Sequence, residues 1–181
     1  MVKPLKHWSP PSLNLLNYGI TAGSVLLCAL ALPLRFPGLE LAGISPHWLL
    51  IWVVTWSVKR SPLQGAIAGL CLGLIQDGLT APQPTHTLSL ALVGILTSGL
   101  NKQRFIQEDL ISVALIVFVM AFVVEGVLMA QFALMGDRTL TELWERQPQV
   151  ALSSALLSSL WTPVVYYPLN RWWQHVHKLL S

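Results

Sequence analysis

GAIAGLCLGLIQDG, residues 65–78, places a glycine at every fourth position, Gly65, Gly69 and Gly73, and the next step of four lands on Asp77. In a soluble helix each internal glycine costs about 1 kcal/mol against alanine. The stretch makes sense where close backbone packing outweighs that cost. Lipid is such a place. Helices in a bilayer gain little by burying apolar surface against one another, and small residues let their backbones approach.

The rest of the chain agrees. Its 181 residues are 54% hydrophobic and 10% charged, with a mean hydropathy of +0.60. Soluble domains carry roughly 25% charged residues. This chain lacks the charge to cover a water-facing surface, which makes it an all-α integral membrane protein. Eight Trp suit two membrane interfaces. The pI near 9.1 does not point to nucleic acid, because the basic residues fall in small groups between apolar runs. Membrane lipids are the expected surroundings.

Six apolar segments follow, at residues 13–34, 44–58, 62–80, 86–101, 109–135 and 150–170. They predict a six-transmembrane-helix bundle, a single membrane domain over residues 1–181. The second and fourth are short against the roughly 20 residues that cross a bilayer. Lys3, Lys6, Lys59, Arg60, Lys102, Arg104, Arg171 and Lys178 are eight of the eleven Lys and Arg, and all fall on one side of a six-span arrangement. By the positive-inside rule both termini are cytoplasmic. The first segment has some features of a signal peptide, but it is long for one and five more spans follow, so it is expected to stay. Cys28 and Cys71 are expected to be buried.

Small faces recur on other segments: Gly19 and Gly23 on the first, Gly94 and Ser98 on the fourth, Ser154 and Ser158 on the sixth. A tight bundle follows. The face of Gly65, Gly69 and Gly73 is expected to pack inside it or against a partner's helix. Asp77 lies about 22 Å along its segment and Glu125 about 24 Å along the fifth, so the two carboxylates are expected at one depth in the outer half. Ionisable groups in a span are functional candidates. Asp77 sits near a helix C-terminus, where the dipole disfavours negative charge, so it is not expected to be a cap. It is expected to reach water at the outer interface.

Trp48, Trp52 and Trp56 form a stripe on the second segment, suited to interface anchoring, to lipid or helix packing, or to a partner groove. Residues 136–148 read as a short amphipathic helix on the outer surface, with Leu140, Leu143 and Trp144 on one face and capping-box spacing at Thr139 and Glu142. His47 and His86 open the second and fourth segments on the outer side, and a His–carboxylate pair with Asp77 is geometrically open. No HExxH, GxSxG, CxxC or phosphate loop is present. No enzyme, metal or cofactor is expected.

The run PHWLLIWVVTWSVKRSPLQGAIAGLCLGLIQDGL, residues 46–79, resembles the core signature of the rod shape-determining protein MreD family. That family shows a Pro and Trp opening an apolar span, a short basic loop, and a small-residue helix ending in an acidic motif. The corresponding residues here are Pro46, Trp48, Gly65, Gly69, Gly73 and Asp77. The resemblance covers roughly residues 44–131. It implies a fold like the S-components of energy-coupling-factor transporters. It also implies a non-enzymatic scaffold of the cell-elongation machinery in the bacterial inner membrane. Implied partners are MreC, a class B penicillin-binding protein and a RodA-type glycosyltransferase, with MreB filaments indirectly. The rival reading is an S-component-like binder of a vitamin-sized ligand, using Asp77, Glu125 and Gln131.

Overall fold

The computed structural model describes residues 10–33, 40, 43–80, 84–102, 110–136 and 140–180, with side chains left out at 10, 101, 102, 140–147 and 180. The described residues form six α-helices in chain order: α1 (Pro10–Ala31), α2 (Trp48–Ser57), α3 (Pro62–Leu79), α4 (His86–Lys102), α5 (Leu110–Met135) and α6 (Leu140–Leu180). The described residues contain no strand. Among the described residues three helical stretches are long and apolar enough to cross a membrane: Pro11–Ala31, Leu110–Met135 and Pro148–Leu179. The short ones are α2 and the apolar part of α4.

The helices alternate in direction. Gly65, Gly69 and Gly73 of α3 face Gly94, Leu90 and Thr87 of α4 in descending order, which makes that pair antiparallel. Gln131, near the end of α5, bonds Thr85 just before α4. Trp172, late in α6, donates to Asn17, early in α1, at 3.3 Å. The start of α1 and the end of α6 therefore lie together, at the end of the bundle that carries the α2–α3 loop.

The segment expected at 44–58 is helical only from Trp48. Its ten helical residues rise about 15 Å, half a bilayer core. It survives because it is the central element, touching each of the other five helices. Every residue of α2 except Trp48 and Trp56 is buried. A helix apolar all round belongs inside, and irregular backbone at membrane depth is tolerated only when protein covers it. Trp52 is accordingly no lipid-facing anchor. Its indole Nε1 donates to Ser24 Oγ of α1 at 2.8 Å, and its ring stacks on Trp56. Trp48 packs against Trp161 of α6.

α3 begins where its sequence says it should. Ser61 accepts from the Gln64 amide and Gln64 returns a bond to the Ser61 N–H, a full capping box with Pro62 at the first helical position. The glycine face points at α4. A Cβ on Gly65, Gly69 or Gly73 would run into α4 backbone or the Ser98 hydroxyl. Cys71, on the opposite side of α3, is exposed, against the expectation of burial, while Cys28 is buried. Gly19 and Gly23 depart from the expected packing: among the described residues nothing lies within 4 Å of where their Cβ would be.

The helix expected at 136–148 is not a separate element. α6 runs unbroken from Leu140 to Leu180 with Pro148, Pro163 and Pro168 inside it. At 41 residues it is about 60 Å long, well beyond a bilayer core. The side chains of Leu140, Leu143 and Trp144, and Thr139 altogether, lie outside the described residues.

Candidate functional site

Polar groups gather where α3 ends and α4 begins. Asp77 stands in the last turn of α3, and its hydrogen bonds go to the first two residues of α4. Oδ1 accepts from the His86 N–H at 2.7 Å and pairs with His86 Nδ1 at 2.9 Å. Oδ2 accepts from the Thr87 hydroxyl at 2.7 Å and the Thr87 N–H at 3.3 Å. Asp77 is thus a cap, contrary to expectation. It caps the next helix rather than its own. The dipole of α3 disfavours the charge there, but the N-terminus of α4 favours it and supplies free N–H groups. The α3–α4 turn is short enough to bring the two ends together. Nor does Asp77 simply meet water: its side chain is 13% exposed and that of His86 18%.

Gln131 of α5 clamps the same turn. Its amide oxygen accepts from Thr85 N–H at 2.9 Å and its NH2 donates to Thr85 C=O at 3.0 Å. The rival small-molecule reading would need this amide, which is already occupied.

His47 is the second hub. As N-cap of α2 it accepts from the Leu50 N–H through Nδ1, at 3.3 Å. Its backbone N–H donates to Ser158 Oγ of α6 at 2.9 Å. With Nδ1 accepting, the neutral ring carries its proton on Nε2. The Gln76 amide lies 3.5 Å from that nitrogen. The two ends of an amide have the same shape, so turning the Gln76 oxygen toward this proton gives it a partner that it otherwise lacks. The His47 and His86 rings stand 6.2 Å apart. His47, Gln76, Asp77, His86 and Ser158 thus tie α2, α3, α4 and α6 together at one end.

The structure brings the predicted residues together unevenly. Gly65, Gly69, Gly73 and Asp77 all serve the α3–α4 contact. Trp48 and Trp52 hold α2 to α6 and α1. Glu125 is buried on the core face of α5 and has a partner there, but Asp77 does not bond to it. Sequence reasoning placed His47 and His86 at the helix starts, gave Ser158 only as part of a small packing face, and missed Gln76. A Gln or Ser in an apolar run gives no sign of its hydrogen-bond partner. Among the described residues no group of three or more His, Cys, Asp or Glu is placed to hold a metal. The cluster has the chemistry of a structural clasp: caps, an amide clamp and a His–carboxylate pair.

No curated protein and no solved structure matches the chain. Residues 16–169 match the sequence model of the family described as rod shape-determining protein MreD. The match takes in all of α2 to α5 and most of α1 and α6. That family consists of cell-shape membrane proteins and is not known for an enzymatic activity. By this match the chain belongs to the MreD family.

Proposed function

We infer that the protein is a non-enzymatic scaffold of the cell-elongation machinery, a six-span inner-membrane bundle of S-component-like fold with cytoplasmic termini. It docks MreC, and through it a class B penicillin-binding protein and a RodA-type glycosyltransferase, by transmembrane helix packing. The family match over residues 16–169 carries the cell-shape role.

The small residues left open on the bundle support α1 as the docking face. The glycine face of α3 is filled by α4. On α1, Gly19 and Gly23 meet nothing within 4 Å among the described residues, and Leu15, Tyr18, Leu26 and Leu27 around them are exposed. This is a notch between large apolar side chains, the shape that receives a partner helix in lipid. Leu140, Leu143 and Trp144 would extend the contact at the outer end.

The test is capture of the tagged chain from native membranes in mild detergent, with mass spectrometry of what comes with it. The expected partners are MreC and the penicillin-binding protein. Gly19→Leu with Gly23→Leu should abolish their capture while leaving the chain folded. A bound vitamin with ATPase subunits, or unchanged MreC capture by the double variant, would overturn the reading or the face respectively.

A further inference from the structure

At the opposite end from the clasp, a half-open cavity of about 450 Å³ lies between α1, the α2–α3 loop and the last turns of α6. This is within the range of small-ligand clefts, roughly 300–1,000 Å³. We propose that it binds the headgroup of an anionic phospholipid of the phosphatidylglycerol class.

Its lining has the required chemistry. Lys59 and Arg60 supply cations, and no carboxylate stands among the described lining residues. The Arg60 guanidinium lies 5.1 Å from the centre of the Trp56 ring, a contact that holds the group in place without neutralising it. Asn17, Asn170 and Gln174 add amides. The Asn170 side-chain oxygen is buried with no hydrogen-bond partner, and a buried acceptor calls for a donor. A phosphodiester answers the cations, and the hydroxyls of a glycerol headgroup answer Asn170. Inorganic phosphate at neutral pH offers charge but no apolar part, and choline offers no donor.

The walls add the second half of a lipid. Trp173 and Val176 line the cavity, and Leu15 on α1 and Leu63 on α3 stand exposed close by in sequence to Asn17 and Arg60. Acyl chains would run along these helices into the bilayer. Trp172 and Trp173 stand in the last turns of α6, and Trp is enriched at headgroup depth. Basic pockets between membrane helices are known receptors for anionic headgroups.

The experiment uses the full chain in detergent, with native mass spectrometry and thermal unfolding read after adding phosphatidylglycerol, phosphatidylcholine or inorganic phosphate. One phosphatidylglycerol should be retained per chain and should raise the unfolding temperature. Phosphatidylcholine should bind at least tenfold more weakly, and millimolar phosphate should not displace the lipid. The double variant Lys59→Gln, Arg60→Gln should lose at least tenfold in affinity. Without lipid it should still fold, with an unfolding temperature lowered no more than in the Arg171→Gln, Lys178→Gln control, since each pair gives up side-chain contacts. Arg171→Gln with Lys178→Gln, which removes equal charge outside the lining, should bind normally. Equal binding of both lipids, equal loss in the two double variants, or displacement by phosphate alone would each overturn the proposal. So would capture of an acidic protein segment at Arg60 in place of lipid.

Discussion

At the residue scale, Asp77 decides how two helices meet. One carboxylate takes four hydrogen bonds from His86 and Thr87. Losing an N-cap costs about 0.5–2 kcal/mol, and a bond to a charged group is worth about 1.5–3 kcal/mol. Asp77→Ala should therefore destabilise the protein by about 2–4 kcal/mol. Asp77→Asn, which keeps one acceptor oxygen, should cost about half as much. Equilibrium unfolding in mixed micelles measures both. An equal effect of the two would mean that the charge, not the geometry, is what α4 requires. Trp52 makes a similar link on a smaller scale. Trp52→Phe removes its bond to Ser24 and should cost about 1 kcal/mol. In the double variant Ser24→Ala should cost less than it does alone, because only its bond to the Thr21 carbonyl is left to lose.

At the scale of elements, the same residue type has opposite value on two helices. A Cβ at Gly69 would strike the Leu90 carbonyl and the Ala91 backbone. Backbone cannot step aside as a flexible side chain can, so α3 and α4 must separate. Gly69→Ala should cost about 1–3 kcal/mol, the range of overpacked sites. At Gly19 there is open space, and Gly19→Ala should be neutral or stabilise by up to about 1 kcal/mol through helix propensity. Thermal unfolding of the two variants side by side tests this. Gly69→Leu is consequently a folding variant, and its loss of partners would say nothing about docking. The glycine spacing was legible because helical period puts every fourth residue on one side. Which neighbour fills that face was not, since α1, α4 and α6 offered matching small residues.

At the scale of the whole molecule, alternating helices set the start of α1 and the end of α6 beside the α2–α3 loop, the end rich in Lys and Arg. If that end is cytoplasmic, Thr80→Cys, at the exposed end of α3, should react with an impermeant maleimide in intact cells when the chain is otherwise cysteine-free. Ser61→Cys, exposed at the other end of the same helix, should react only after permeabilisation. The reverse pattern would invert the molecule in the membrane. A charge buried in the central helix should be worse than one at the lipid-facing rim near an interface. Val53→Asp, at a fully buried site, should abolish folding, whereas Leu63→Asp, exposed at the start of α3, should be tolerated. Expression and monodispersity in detergent report the difference.

The lipid surroundings, the helical class and the glycine face of α3 could be read from the chain, whereas the late start of α2 and the continuity of α6 through 140–148 could not. The legible features depend on composition and on short-range spacing: too little charge for water, apolar runs for helices, small residues at the helical period. The His residues at the helix starts were visible in the same way. That a ten-residue segment is the centre of the bundle was not, because burial on all sides depends on five neighbours drawn from the whole chain. Asp77 was misread for the same reason. A helix C-terminus is a poor place for a carboxylate when only its own helix is considered, and a good one when the next helix begins against it. Tertiary structure made that choice, because hydrogen-bond partners across a turn or between helices are fixed by register in space and not by position along the chain.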